Sequence, residues 1–142
     1  EPAEIICEGT AWLAFFPLSP ATCGHTLVVP RAHVEDFWTA SRELVREVAE
    51  GCRIVGEAIR CVTAAEGMNL ISSSGSAAEQ TVFHLHMHVV PRWQFDGFGH
   101  IWPHDRVFDG VRLENLADRL REALPDLPQA DLLDHRRRPR GR

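Results

Sequence analysis

No apolar run in this 142-residue chain approaches the roughly 20 residues that crossing a bilayer requires, and no charged-then-apolar leader opens it. A cytoplasmic protein without a membrane partner is expected. Cys7, Cys23, Cys52 and Cys61 form no C-x-x-C pair and stand at irregular spacings, which argues against both a disulfide framework and a cysteine-based zinc knuckle. They read as reduced thiols packed as small hydrophobes. The sequence holds no glycine-rich phosphate loop and no internal repeat. Positive charge is also scarce over most of its length. The net charge is −5, yet five arginines fall in the last seven residues, which leaves twenty acids against ten bases before them. A nucleic-acid binder carries its basic surface on the fold itself, so binding to a nucleic-acid polymer is not expected, and "RRRPRGR" reads as a solvated tail.

What is present fits one compact unit. With 44% apolar and 25% charged residues the chain has enough for a core, and we expect a single domain over residues 1–128 followed by a polar, Arg-rich tail at 129–142. "AEIICEGTAWLAFF" reads as a hairpin, and "HTLVVP" as a third strand stopped by Pro30. From Ser41 to Ala65, Leu44, Val45, Val48, Cys52, Val55, Ile59 and Val62 recur three or four apart, the mark of a long amphipathic helix with Ser41 as N-cap and Gly67 as stop. "MNLISS" and "VFHLHMHVV" read as strands four and five. A second helix is expected from Leu113 to Leu124, with Leu113, Leu116, Leu120 and Leu124 on one face and Pro125 and Pro128 at its end. The fold class is therefore α+β, a five-stranded antiparallel sheet with one long helix and a C-terminal helix.

Within the fifth strand, His84, His86 and His88 occupy every second position. Side chains alternate across a strand, so Phe83, Leu85, Met87 and Val89 are expected to bury against the long helix while the three imidazoles share the other face. Core packing does not call for that second set. Two chemistries do. One is a transition-metal site, for which neutral imidazole is a common ligand, although no carboxylate follows closely and the next one downstream is Asp96. The other is nucleophilic catalysis, with one imidazole attacking phosphorus and a neighbour assisting the leaving group. His33, His100, His104 and His135 are scattered and read as solvent-facing or locally bonded.

"HLHMHVV" resembles the His-φ-His-φ-His-φ-φ signature of the histidine-triad superfamily, and "SPATCGHTLVVPRAH" upstream resembles its second signature. The resemblance runs from about Ile5 to Pro103. It implies a homodimeric hydrolase or transferase, a phosphoramidase or dinucleoside-polyphosphate hydrolase among the possibilities, that cleaves nucleotides at the α-phosphate through a covalent nucleotidyl-histidine. It further implies that His86 is the nucleophile and His88 the contact to the α-phosphate and bridging atom, with His84 and His25 holding them. Gln80 and Thr81 would reach the phosphates, Ser73 the ribose side, and Phe15 and Leu18 the base. No metal or cofactor is required on this reading, although a divalent cation can accompany a polyphosphate substrate. The dimer interface implied uses residues 83–90 and the exposed side of the long helix.

Three positions depart from the family pattern. Pro17 stands where an acid or amide usually holds the ribose hydroxyls, Ser73 where Asn is frequent, and Glu79 where a small Gly is common. Proline offers no side-chain donor or acceptor. The alternative function is thus a repurposed family member, a binding protein or specialised transferase acting on a non-standard phosphorylated ligand.

Overall fold

The computed structural model describes residues 4–103, 107 and 109–126. In chain order its elements are β1 (Ile5–Glu8), β2 (Trp12–Phe15), β3 (Thr26–Pro30), α1 (Arg42–Thr63), β4 (Gly67–Ile71), β5 (Met87–Arg92) and α2 (Gly110–Ala123). The strands form one antiparallel sheet in the order β1-β2-β3-β5-β4. The α+β class with five strands and two helices is as the sequence predicts. The chain divides into two compact units, Glu1–Gly99 and His100–Arg142, and each is taken by itself. The expected boundary at residue 128 and the tail 129–142 lie outside the described residues, as do His104 and His135.

In the first unit, α1 lies across β2, β3 and β5 and closes one face of the sheet. Its buried stripe is Val48, Gly51, Cys52 and Val55, which meets Trp12, Ala14, Val28, Leu85, Met87 and Val89 in one core. Burying each large side chain contributes on the order of 1.5–3 kcal/mol. The stripe is shorter than the periodicity suggests, since Val62 is exposed at the last turn. Ser41 caps the helix as expected, its hydroxyl accepting from Leu44 N–H at 3.2 Å. The C-terminal stop differs. Ala64 itself takes the left-handed conformation, φ 53°, and closes the helix through its N–H to the Arg60 carbonyl, while Gly67 is already the first residue of β4.

Strand five also differs from its expected extent. The ladder begins only at Met87 and runs on through Pro91 to Arg92, so His84 and His86 precede the strand. The reason lies in the neighbour: β3 pairs with β5 only over Thr26–Val28, and the chain beyond it turns away at Pro30. The alternation nonetheless persists back through the unpaired residues, Leu85 and Met87 being buried and the histidines half-buried. Phe83 breaks the expected pattern and stays half-exposed.

In the second unit, α2 starts three residues earlier than its leucine pattern suggests, because the Asp109 carboxylate caps it by accepting from Val111 N–H at 3.0 Å. Leu113, Leu116, Leu120 and Leu124 share a face as predicted, and each is at least partly exposed.

The approach of α1 to the sheet depends on a missing side chain. A Cβ on Gly51 would lie 2.6 Å from the Trp12 indole, which is itself buried. Alanine gains about 1 kcal/mol of helix propensity over glycine, whereas overpacking costs about 1–3 kcal/mol. Gly51→Ala is therefore expected to lower stability in urea titrations, by up to about 2 kcal/mol on balance; a more stable variant would show that the indole can yield.

Candidate active site

The face of the sheet that α1 leaves open carries a row of side chains in register. Phe15 on β2 pairs with Leu27 on β3, and Leu27 with His88 on β5, which in turn faces Ile71 on β4. His88 is thus flanked by apolar groups on its own face. Next to it along the chain, the His86 ring stands 5.0 Å away, centroid to centroid, with the two planes 70° apart.

Backbone partners assign the proton on each ring. The Ala21 N–H can only donate, so His25 Nδ1 accepts from it at 3.0 Å and His25 carries its proton on Nε2. That proton is directed at His88 Nδ1, 2.9 Å away, which places the proton of neutral His88 on Nε2. His86 Nδ1 lies 2.7 Å from the His84 carbonyl, which can only accept. His86 therefore holds its proton on Nδ1 and keeps a free lone pair on Nε2. His84 donates its Nε2–H to the Pro30 carbonyl at 3.0 Å, leaving Nδ1 unprotonated. The result is one nucleophilic nitrogen and, on the adjoining ring, one N–H donor.

Electrostatics favour the neutral form of His88 and His25. Burial above all, and then the neighbouring His86 and His25 rings, push the pKa of His88 down to about 4. Burial also lowers that of His25, which is 5% exposed. The hydrogen bonds to these rings run to other imidazoles and to backbone groups.

The remaining predicted residues divide. Phe15 lies on the open face in register with Leu27; Ser73, half-buried, follows β4 two residues after Ile71; Thr81 is exposed beside the triad segment; Leu18 projects into solvent, 95% exposed. Gln80 is turned inward. Its amide oxygen accepts from Gly75 N–H at 2.7 Å and its NH₂ donates to the carbonyls of Glu35 and Val82 at 2.8 and 3.2 Å, so in this structure it braces the loop before the triad. Arg92 is likewise occupied: Asp96 takes it in a two-pronged ion pair, its guanidinium also donates to the Asn69 side-chain oxygen and the Gly99 carbonyl, and it lies over the Phe98 ring. That guanidinium holds the Asp96 carboxyl well below the usual carboxylate range.

His33, read from the sequence as a scattered residue, is instead bonded to His84, ring nitrogen to ring nitrogen at 3.1 Å. The signal for it was only its place three residues after Pro30. Among the cysteines, Cys52 is buried in the core with its thiol pushed up to about 12 by burial, whereas Cys23 and Cys61 are exposed rather than packed. No group of three or more His, Cys, Asp and Glu side chains among the described residues is placed to hold a metal ion. No helix among them is long and apolar enough to cross a membrane.

Comparison with known proteins places this geometry in a family. The sequence signature of the HIT domain matches residues 1–95. Protein hit of Bacillus subtilis is 34% identical over 125 residues, covering 87% of this chain and 86% of that protein. The adenylylsulfatase HINT3 of Arabidopsis thaliana is 26% identical over 137 residues, covering 93% and 68%. A crystal structure of a Streptococcus mutans protein superposes with a TM-score of 0.80 at 32% identity, covering 87% of this chain and 78% of the other.

The lowered pKa of His88 has a consequence for stability. An unfolded His88 binds its proton near 6.5, whereas the folded one waits until about 4, so between these values the unfolded state holds more protons. Stability contributed by keeping His88 neutral is complete above 6.5 and is lost as the pH falls towards 4. Wild-type protein is expected to lose more stability than His88→Asn over that window in urea titrations at stepped pH, and equal slopes would contradict the assignment.

Proposed function

The chain belongs to the HIT domain family, and from that premise we propose that it is a nucleotidyl hydrolase or transferase that cleaves at the α-phosphate through a covalent nucleotidyl-His86 intermediate. The observation that carries this reading is the pairing of complementary tautomers: a free lone pair on His86 Nε2, and an N–H on the His88 ring 5.0 Å away. A neutral nucleophile approaches an anionic phosphate without charge repulsion. The Nε2–phosphorus bond forms as the bond to the leaving group breaks, and the departing atom takes a hydrogen bond from His88 Nε2–H. For an acidic leaving group such as phosphate or sulfate that hydrogen bond suffices, whereas an amine takes the proton itself. Water then attacks phosphorus as the Nε2–phosphorus bond breaks and frees His86; the water proton goes to His88 Nε2 where an amine has taken that proton, and to solvent where an acidic group has left without it.

The family relatives supply a substrate class consistent with this. One of them is named an adenylylsulfatase, in which a nucleotide phosphate is bonded to an acidic leaving group. Phe15, Leu27 and Ile71 offer an apolar wall beside His88 for the base, and on this reading Ser73 serves the ribose side and Thr81 the phosphates. The chemistry needs no metal, and a divalent cation enters only as counter-ion to a polyphosphate. Departures from the family pattern favour a second reading, a pocket adapted to a different phosphorylated ligand. The Pro17 side chain cannot bond a ribose, and Glu79 sits in a left-handed conformation, φ 65°, that glycine would adopt more easily. As to assembly, a groove of about 560 Å³ between α1 and the edge strand β4, lined by Cys52, Gly56, Met68, Leu70 and Val89, suits a second copy of the chain and a homodimer.

Intact mass after mixing with adenosine and guanosine phosphoramidates, adenylyl sulfate and dinucleoside polyphosphates tests the proposal. A transient nucleotide-sized adduct is expected in wild type and absent in His86→Ala, with turnover falling by several orders of magnitude. Thr81→Ala should cost no more than about 2–4 kcal/mol in kcat/KM. No adduct and no turnover across the panel would favour the adapted pocket.

A further inference from the structure

The segment bearing the nucleophile is held less by the sheet than by the turn that leaves β3. Residues 81–86 lie outside the ladder. In its place, Leu85 N–H donates to the Val34 carbonyl at 2.8 Å, His84 Nε2–H to the Pro30 carbonyl at 3.0 Å and the Gln80 NH₂ to the Glu35 carbonyl at 2.8 Å. His33 adds a fourth tie from the same turn.

Its geometry is specific. Because the Pro30 carbonyl holds the His84 proton on Nε2, His84 Nδ1 is a bare lone pair, and His33 Nδ1 at 3.1 Å must be the donor. The rings are 46° apart with centroids 5.2 Å distant, so the contact is a hydrogen bond between ring edges and not a stack. Both nitrogens of His84 are thereby gripped by residues three apart in sequence. The same residue's carbonyl receives the Nδ1–H of His86 at 2.7 Å, the bond that leaves His86 Nε2 free.

We propose that His33 is a positioning residue for His86, acting through His84: its Nδ1–H holds His84 as the Nε2–H tautomer and fixes the peptide that aims the nucleophile. This rests on the nucleotidyl-His86 reading. An exposed histidine in a turn thus completes a chain that runs from the rim of the site to the attacking nitrogen.

Asparagine and aspartate provide the test, because they share one shape and differ in hydrogen-bond polarity. Asn can place an N–H where His33 Nδ1–H stands; Asp can only accept there, and draws a proton onto His84 Nδ1. His33→Asn is expected to keep at least about a third of wild-type kcat and His33→Asp to lose about tenfold or more, with KM within about twofold in both. Imidazole ¹⁵N spectra of the same samples are expected to show His84 Nδ1 unprotonated in wild type and His33→Asn, and protonated in His33→Asp. Equal kcat in the two variants, whether high or low, or a protonated Nδ1 in wild type, would overturn the proposal. If wild type turns over no nucleotide, the nucleotidyl reading fails, and the spectra still decide whether His33 sets the state of His84.

Discussion

The peptide of His84 is the point on which the site turns. Its carbonyl takes the Nδ1–H of His86, its ring is tied to Pro30 and His33, and the next N–H, that of Leu85, is bonded to Val34. An imidazole is useful as a nucleophile only if one nitrogen is reliably bare, and in water the two tautomers interchange freely. A carbonyl acceptor at 2.7 Å removes that freedom, because the wrong tautomer would set two lone pairs against each other. Everything that steadies this carbonyl therefore acts on the tautomer of His86, even when, as with Leu85, it is buried in the core on the far side.

The same alternation that exposes the histidines buries their neighbours. Leu85 and Met87 lie in the core with Val48, Cys52 and Val55 of α1, so the strand-like segment is anchored on one face by packing and on the other by hydrogen bonds. Gly51 lets the helix approach Trp12 closely enough to seal that core. The helix covers one face of the sheet, and the other keeps a shelf of Phe15, Leu27 and Ile71 around His88.

Charge is handled by omission. The chain contains no lysine, and Arg31, Arg53 and Arg92 are paired with Glu8, with Glu50 and Glu57, and with Asp96. The hydrogen bonds of His25, His86 and His88 run instead to other imidazoles and to backbone groups. Burial and the neighbouring imidazoles lower the pKa of His88 to about 4 and keep that ring neutral over the neutral range.

Local pattern by itself determined the elements, the α1 face and its Ser41 cap, the alternation of His84, His86 and His88, and the family. Each of these depends on residues within a few positions of one another, where period and propensity are legible. Tertiary structure decided the rest. The ladder of β5 starts at Met87 because β3 stops pairing at Val28, and Phe83 stays half-exposed. Gln80 turned inward because the Glu35 carbonyl and the Gly75 N–H, distant or nearby in sequence, converge on its amide. His33 looked incidental in the sequence, 51 positions before His84, and became part of the site only when the turn after β3 folded against the triad. The identity of the imidazoles is written in the chain, but the position of their protons is set by carbonyls and N–H groups that only the folded backbone brings within hydrogen-bond distance.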